Sequence, residues 1–231
     1  MKEVSDEAPR RKSNKEKRTP KGSIKFKLNL NEEQKIAKAV ILNNTISVLA
    51  GKAGSGKTLL SCQVALDMLF TRKVERIIIS RPAVSSEDLG YMPGDISEKM
   101  APYLEPIFHN MYNLYDRGKI DKLVADGIIE IGPVGFMRGK TFVDSFVIID
   151  EAQNVTPHQM LTILTRVGIG TKLVVCGDST QKDLRGNKKS GFADAIKMAH
   201  DIESFGEVQL NENHRAGIVD DVIQWYSRET K

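Results

Sequence analysis

The chain has 231 residues, of which 40% are hydrophobic and 28% charged, and its formal net charge is +4 at pH 7. This length and composition favour a single α/β domain, and no apolar run approaches the roughly 18 residues that a membrane span requires. The cysteines Cys62 and Cys176 lie far apart in apolar stretches, which argues against a disulfide framework or a cysteine metal site and predicts buried thiols. The charged N-terminus has no apolar segment behind it, so no secretory signal is recognised and a cytoplasmic location is expected.

The positive charge is concentrated in the first 27 residues. This segment contains ten Lys or Arg residues against four Asp or Glu residues, a net charge of +6, whereas residues 28–231 have a net charge of −2. Because the segment also lacks apolar periodicity, we expect a disordered basic tail at 1–27 and one folded domain at 28–231. The tail either binds nucleic acid through counterion release or acts only as a solubilising arm, and the sequence leaves both open.

In chain order, helical stretches alternate with short apolar runs that are typical of buried strands. Asn31 and Gln34 form a capping-box pattern at the start of the first helix, which we expect to end near residue 42. We predict strands at 46–50, 75–80, 128–131, 146–149, 172–176 and 207–210. Further helices are predicted at 59–70, 96–116, 157–166, 191–201 and 218–228, and long loops at 82–95 and 132–140.

This alternation predicts an α/β fold in which a mostly parallel β-sheet carries helices on both faces. Ligands of such sheets bind outside the carboxyl ends of the strands. The chemical motifs of this chain follow predicted strands directly, so we expect them to meet at one edge of the sheet.

A phosphate-binding loop follows the first predicted strand. Its pattern is G-x-x-x-x-G-K-[ST], and its residues are Gly51, Lys52, Ala53, Gly54, Ser55, Gly56, Lys57 and Thr58. In such a loop the glycines let backbone amides donate to phosphate oxygens, and the following helix adds its positive N-terminal end. We expect Lys57 to contact the β and γ phosphates of a nucleotide and the Thr58 hydroxyl to bind Mg²⁺.

A pair of acids ends the predicted strand at 146–149. An aspartate in this position beside a phosphate-binding loop holds Mg²⁺, which is the role we expect for Asp150. We expect Glu151 to be the general base that orients and deprotonates the attacking water. Signalling GTPases and small-molecule kinases generally lack this second acid, and the guanine-reading pattern N-K-x-D is absent from the sequence, so the pair favours ATP hydrolysis.

Two glutamines are further candidates. Gln181 ends the stretch G-D-S-T-Q after the strand at 172–176, where its side chain would contact the γ-phosphate and sense its loss, unless the stretch is an ordinary turn. Gln34 lies upstream of the phosphate-binding loop, and its amide suits the N6 and N7 edges of adenine. Capping of the first helix is the competing role for Gln34, and the sequence leaves both open.

Beyond these motifs, the chain resembles the PhoH family, ATPases related to the core of superfamily 1 helicases. The resemblance covers roughly residues 30–228, nearly all of the predicted folded part. It rests on the stretches S-R-P-A-V (80–84), L-G-Y-M-P-G-D (89–95), P-Y-L-E-P (102–106), F-M-R-G-K-T-F (136–142), V-I-I-D-E-A-Q-N-V-T-P-H-Q-M (147–160), L-T-R-V-G (164–168), G-D-S-T-Q-K-D-L (177–184) and K-S-G (189–191). The short length is similar to that of phage-encoded members, which would act in the host cytoplasm.

The resemblance implies a RecA-like P-loop nucleoside-triphosphatase core, often assembled into rings such as hexamers, with links to phosphate starvation and RNA metabolism. One such domain cannot form the two-domain cleft of a monomeric helicase, so we expect a neighbouring subunit to supply a catalytic arginine. Arg215 is the leading residue for this role, although the order Asn213-His214-Arg215 departs slightly from the family pattern of Arg-His. Further arginine candidates, for this role or for nucleic-acid contact, are Arg81, Arg138 and Arg166.

Together these features predict an ATPase that uses Mg²⁺, forms a homo-oligomer and acts on single-stranded RNA without a membrane partner. The first alternative is a nucleotide-gated binding or assembly module with little turnover. A small-molecule or protein kinase is a second alternative, and the acid pair together with Gln181 argues against it.

Overall fold

The computed structural model describes residues 29–82, 96–134, 141–181 and 189–212, together with single positions between and after these ranges. Several predicted features lie outside the described residues. They are the basic tail at 1–27, most of the loop at 82–95, Arg138 and Arg215. Among the described helices, none is long and apolar enough to cross a bilayer.

Strands and helices alternate along the described chain, as the apolar pattern predicts. The strands are β1 (Ile46–Gly51), β2 (Arg76–Arg81), β3 (Ile129–Pro133), β4 (Ser145–Ile149), β5 (Lys172–Gly177) and β6 (Phe205–Leu210). The helices are α1 (Glu32–Asn43), α2 (Lys57–Phe70), α3 (Ile96–Leu114), α4 (Arg117–Ala125), α5 (Pro157–Leu164) and α6 (Gly191–Asp201), and a 3₁₀ turn spans Ala152–Asn154. The described positions between 217 and 228 are helical, in agreement with the prediction of a last helix there.

The six strands form one sheet in the order β3-β2-β4-β5-β1-β6. Every pair of neighbouring strands is parallel, so all carboxyl ends meet at the same edge. β5 lies between β1, which leads into the phosphate-binding loop, and β4, which ends at the acid pair. The predicted α/β fold, a parallel sheet with helices on both faces, is confirmed.

The core consists of two layers, one on each face of the sheet. Successive strand side chains alternate between them, so Ile148 and Val174 pack beneath α1 to α4 while Val147 and Val175 pack beneath α5 and α6. Because both faces are covered, the central strands are mostly apolar, are buried along almost their whole length and show no alternation of buried and exposed residues. Since both faces of the sheet are packed against helices, polar side chains that follow the strands are left at the carboxyl edge.

One helix is absent from the sequence-based prediction. The predicted helix at 96–116 ends at Leu114 instead, and the separate helix α4 begins after Asp116, whose side chain accepts a hydrogen bond from the backbone N–H of Lys119 at 3.0 Å. The α4 sequence is short, highly charged and has Gly118 in its first turn, so its apolar periodicity is weak. Burial of Ile120 and Leu123 against the core stabilises it.

Candidate functional site

A cavity of about 610 Å³ opens at the carboxyl edge of the sheet. It is lined by residues from the phosphate-binding loop and from the ends of β2, β4 and β5. The structure brings together here the following residues that the sequence singled out: Gln34, Ala53, Gly54, Gly56, Lys57, Thr58, Asp150, Glu151 and Gln181. Parallel strands explain most of this convergence, since the phosphate-binding loop, the acid pair and Gln181 come after β1, β4 and β5, which end at this edge. Gln34 lies instead on α1, ahead of β1.

The glycines determine the path of the phosphate-binding loop. A Cβ atom at Gly51 would lie 2.3 Å from the carbonyl oxygen of Leu210, so only glycine lets β1 pass this close to the end of β6. Gly54 and Gly56 have φ angles of 87° and 81°, a left-handed conformation that costs glycine little. Gly56 is the N-cap of α2 and provides no side chain to the first amides of that helix, which leaves these donors to an anion.

Lys57 lies folded against this loop. Its Nζ donates to the carbonyl oxygens of Gly51 at 2.8 Å and Lys52 at 2.9 Å, and to the Ser55 hydroxyl at 3.3 Å. All three acceptors are neutral, whereas a hydrogen bond to an ionised oxygen is about twice as strong. A phosphate oxygen would therefore be a stronger partner for this ammonium group than the loop itself.

Thr58 forms a hydrogen-bonded pair with the buried Asp150 beneath the loop. The Thr58 hydroxyl donates to Asp150 Oδ1 at 2.7 Å, and Asp150 is 6% exposed. Burial raises the pKa of Asp150, the Thr58 hydrogen bond opposes this rise, and the neighbouring charge of Glu151 adds to it. Mg²⁺ binds through oxygen ligands, often one or two carboxylates, and keeps several waters. The hydroxyl and the carboxylate fit such an ion, which would also stabilise the buried negative charge.

Glu151 has a strained backbone and two hydrogen-bonded oxygens. Its φ of 51° is left-handed, a conformation that costs a non-glycine residue of order 1–3 kcal/mol and is concentrated at functional sites. Oε1 accepts from Arg81 Nη2 at 3.1 Å, and Oε2 accepts from Gln153 Nε2 at 2.6 Å. The second guanidinium nitrogen of Arg81 donates to the backbone carbonyl of Tyr103 in α3 at 3.2 Å.

Gln153 connects the acid pair to the end of β5, a role that the sequence motifs did not indicate. While its Nε2 donates to Glu151, its Oε1 accepts from the backbone N–H of Asp178 at 3.1 Å. Asp178 Oδ2 accepts in turn from the backbone N–H of Ala53 at 3.0 Å. A continuous chain of hydrogen bonds therefore runs from Glu151 to the phosphate-binding loop. The available signal was a lone amide two residues after Glu151, which has many structural explanations.

Gln34 and Gln181 both line the cavity, and the position of each fits both of its expected roles. For Gln34 these roles are contact with adenine and capping of α1. For Gln181 they are contact with the γ-phosphate and an ordinary turn. Gln34 completes the capping box of α1, with its backbone N–H donating to Asn31 Oδ1 at 2.7 Å and its Oε1 accepting from the Asn31 N–H at 3.2 Å. It is also part of the cavity wall. Gln181 is exposed at the cavity, and its backbone N–H closes a turn by donating to the carbonyl of Asp178 at 3.2 Å.

Gln63 is a second glutamine that the motifs did not single out. It lies on α2, lines the cavity and is 6% exposed. Its Oε1 has no hydrogen-bond partner among the described residues. An unsatisfied buried acceptor costs roughly 1–3 kcal/mol, so a donor from a bound molecule would stabilise this site. An amide in the mostly apolar stretch L-L-S-C-Q-V-A-L was the sequence signal.

The four arginine candidates are in different situations. Arg81 lines the cavity, whereas Arg166 is not part of its wall and has a buried Nε without a hydrogen-bond partner among the described residues. Arg138 and Arg215 lie outside the described residues. Among the described residues, Arg81 is thus the arginine candidate that lies in the same cavity as the phosphate-binding loop of its own chain.

The two cysteines lie in the core near this site. Both are buried and free, as predicted from their apolar surroundings. Burial raises the pKa of Cys62, and it raises the pKa of Cys176 to about 12, so both thiols are protonated at neutral pH. Cys176 Sγ lies 3.3 Å from the hydroxyl of Ser61 in α2. Both thiols therefore pack as apolar side chains between α2 and β5.

Comparisons with known proteins agree with this architecture. The family profile described as PhoH-like protein matches residues 27–227. A PhoH-like protein of Mycobacterium tuberculosis (strain ATCC 25618 / H37Rv) is 43% identical over 190 residues, which cover 80% of this chain and 53% of that protein. A PhoH-like protein of Bacillus subtilis (strain 168) is 39% identical over 194 residues, which cover 83% and 61%. The chain thus spans little more than half the length of these relatives.

Solved structures with a similar shape include the UvsW helicase from bacteriophage T4. The two chains have a TM-score of 0.46 and 16% sequence identity, and the match covers 85% of this chain and 64% of the helicase.

Proposed function

The chain belongs to the PhoH family of P-loop proteins, and from that premise we propose that it is an ATPase that uses Mg²⁺. The observation that carries the proposal is the hydrogen bond between Thr58 and Asp150 at 2.7 Å beneath a glycine-rich phosphate-binding loop. Glu151 lines the same cavity, so a hydroxyl and a carboxylate suited to a metal lie beside a second carboxylate suited to proton transfer.

In the proposed reaction, the loop amides and Lys57 bind the phosphates of ATP, the substrate. Thr58 and Asp150 hold Mg²⁺, which when bound neutralises charge on the β and γ phosphates. Glu151 accepts a proton from water while the water oxygen bonds to the γ phosphorus. The bond from that phosphorus to the bridging oxygen breaks, and ADP leaves with the electron pair. Gln34 contacts the adenine, and Gln181 senses the γ-phosphate.

The test of this proposal is the rate of phosphate release from ATP with Mg²⁺ and with EDTA. We expect turnover that requires Mg²⁺ and is abolished by Lys57→Ala, because the phosphates lose their positive partner. Lys35→Ala is a suitable control, since Lys35 is exposed on α1 and pairs with Glu32 on the same helix. Turnover of Lys57→Ala at the wild-type rate would refute the assignment of the phosphate-binding loop.

We propose further that single-stranded RNA is a partner, with the basic tail at 1–27 contributing affinity. Its net charge of +6 beside a slightly acidic remainder supports this. Deleting the tail should reduce the slope of log affinity against log salt, because fewer counterions are released on binding. An unchanged slope would assign RNA binding to the rest of the chain, and a turnover that RNA does not stimulate would argue against RNA as the substrate.

A homo-oligomer, such as a hexameric ring, is the proposed assembly, with Arg215 acting on the site of a neighbouring subunit. Arginines that stabilise the transition state of phosphoryl transfer from a partner are worth about 10³–10⁵ in rate. A mixture of Arg215→Ala and Lys57→Ala chains should then regain activity, since some interfaces combine the intact half of each parent. Turnover per chain that does not depend on concentration, with no regain in the mixture, would contradict this assembly.

The hydrogen bonds on both oxygens of Glu151 favour one alternative, a nucleotide-gated binding module with little turnover. Tight binding of ATP with negligible phosphate release, with or without RNA, would support the module over the ATPase.

A further inference from the structure

Arg81 occupies a particular position in the cavity. It is the last residue of β2, and its guanidinium lies between Glu151 Oε1 at 3.1 Å and the carbonyl of Tyr103 at 3.2 Å. Lys57 and Arg81 are the cationic side chains in the described part of the cavity wall. A positive group of fixed planar geometry therefore lies in the same cavity as the phosphate-binding loop.

The contact of Arg81 restricts what Glu151 can do. A charge-assisted hydrogen bond draws negative charge towards the guanidinium and orients the carboxylate. Gln153 holds the other oxygen at 2.6 Å, so each oxygen of Glu151 already accepts a hydrogen bond within the protein. In this arrangement Glu151 is a poor acceptor for a proton of water.

The Arg81 guanidinium can exchange its partner Glu151 for another anionic group. Their side chains are 22% and 37% exposed, and ion pairs with this degree of exposure are weak. Phosphate oxygens are strong partners for arginine, because the planar guanidinium binds them with two parallel hydrogen bonds. A terminal phosphate in the cavity would thus compete with the carboxylate for the same guanidinium.

We propose that Arg81 is a phosphate-binding residue that changes partners during the reaction. It holds Glu151 Oε1 in the nucleotide-free protein and moves to the terminal phosphate of a bound nucleoside triphosphate, which frees Glu151 to accept a proton from water. ADP lacks that phosphate and leaves the pair of Arg81 and Glu151 intact. The inference rests on the proposed function, since it requires a triphosphate in this cavity.

The experiment measures binding of a non-hydrolysable ATP analogue and of ADP, each with Mg²⁺, by calorimetry. We expect Arg81→Ala to weaken the analogue roughly tenfold or more, because a charge-assisted hydrogen bond is lost, and to leave ADP nearly unchanged. Glu151→Gln should tighten the analogue, since a neutral amide competes less for the guanidinium. This tightening should disappear in the double variant, because Arg81 is then absent.

Arg76→Ala is the matched control. Arg76 lies on the same strand and pairs with a glutamate, Glu130, at 3.5 Å, but it is not part of the wall of this cavity. Arg76→Ala should change neither the affinity for the ATP analogue nor the affinity for ADP. Arg81→Lys keeps the charge without the planar fork and should recover part of the lost analogue affinity. This variant also guards against a folding defect in Arg81→Ala, which thermal melts would reveal.

Two results would overturn the role of Arg81 alone, with the proposed function intact. One is an equal loss of ADP and analogue affinity in Arg81→Ala. The other is a tightening by Glu151→Gln that persists without Arg81. If the wild-type protein binds neither nucleotide, the proposed function fails, and the role of Arg81 fails with it.

Discussion

Thr58 Oγ1 donates to Asp150 Oδ1 at 2.7 Å, which joins the first turn of α2 to the end of β4 across 92 residues of chain. The strands that precede these residues, β1 and β4, are not neighbours, since β5 lies between them. The contact spans β5 and places a hydroxyl and a buried carboxylate at the floor of the cavity, where a metal ion bound to a nucleotide would be held.

Burial of the Asp150 carboxyl group lowers the stability of the metal-free protein at neutral pH. Burial raises its pKa above the ordinary value of 3.8, so the folded protein binds this proton more tightly than the unfolded chain does. The contribution of Asp150 to stability is therefore fully present below pH 3.8 and falls as the pH rises from 3.8 through the folded pKa, so at pH 7 burial of this group destabilises the metal-free protein.

Accordingly, Asp150→Asn should raise the Tm in EDTA at pH 7, and its advantage should shrink as the pH is lowered towards 4. With Mg²⁺ and ADP, the wild type should gain Tm and the variant should gain less, because the amide is a poorer magnesium ligand. Thermal melts over this pH range measure both effects. A Tm in EDTA at or below that of the wild type would contradict the prediction.

Glu151→Gln should lower kcat by about 10²–10⁴, the usual contribution of a general base, while triphosphate binding is retained. The amide keeps the shape of the side chain but has little basicity. Single-turnover measurements with ATP would reveal the trapped complex. Glu130→Gln is the control, since Glu130 is a β3 residue outside the cavity wall. A variant that keeps more than half of the wild-type kcat would exclude Glu151 as the base.

Gln153→Leu should lower kcat roughly tenfold with little change in KM, because Gln153 orients Glu151 and is not part of the cavity wall. Two hydrogen bonds are lost, one buried and one partly buried, each worth about 1 kcal/mol. For a chain of this size each such loss lowers the Tm by about 2–4 °C. Steady-state kinetics with thermal melts separate the two effects, and a raised KM at unchanged kcat would assign Gln153 to nucleotide binding.

Gln63 should contribute to the preference of the cavity for a nucleotide that carries adenine. Its unpartnered Oε1 suits the 6-amino group of adenine, so the wild type should bind ATP roughly tenfold more tightly than the triphosphate of purine riboside, which lacks that group. In Gln63→Leu this preference should shrink, with Gln34 left as the other adenine contact, and the Tm should rise because a buried unpartnered acceptor is removed. If Gln63→Leu weakens the binding of ATP and of the purine riboside triphosphate equally, the Gln63 amide does not contact the adenine.

Local sequence determines much of this protein. The continuous apolar runs predict the strands correctly, because a strand with both faces covered has no exposed side. The capping box at Asn31 and Gln34 forms as its pattern predicts. The short helix α4 lacks a strong apolar period and depends on burying Ile120 and Leu123, which is why it was missed.

Only the tertiary structure decides which side chains meet. Arg81 and Glu151 are 70 residues apart, and they pair because β2 and β4 are neighbouring parallel strands that end at the same edge. Gln63 belongs to the cavity wall because α2 packs with that face towards it. Glycine patterns and strand-end acids are signals contained in a few consecutive residues. A contact between distant residues depends on strand order and helix packing, which the spacing of residues along one chain does not specify.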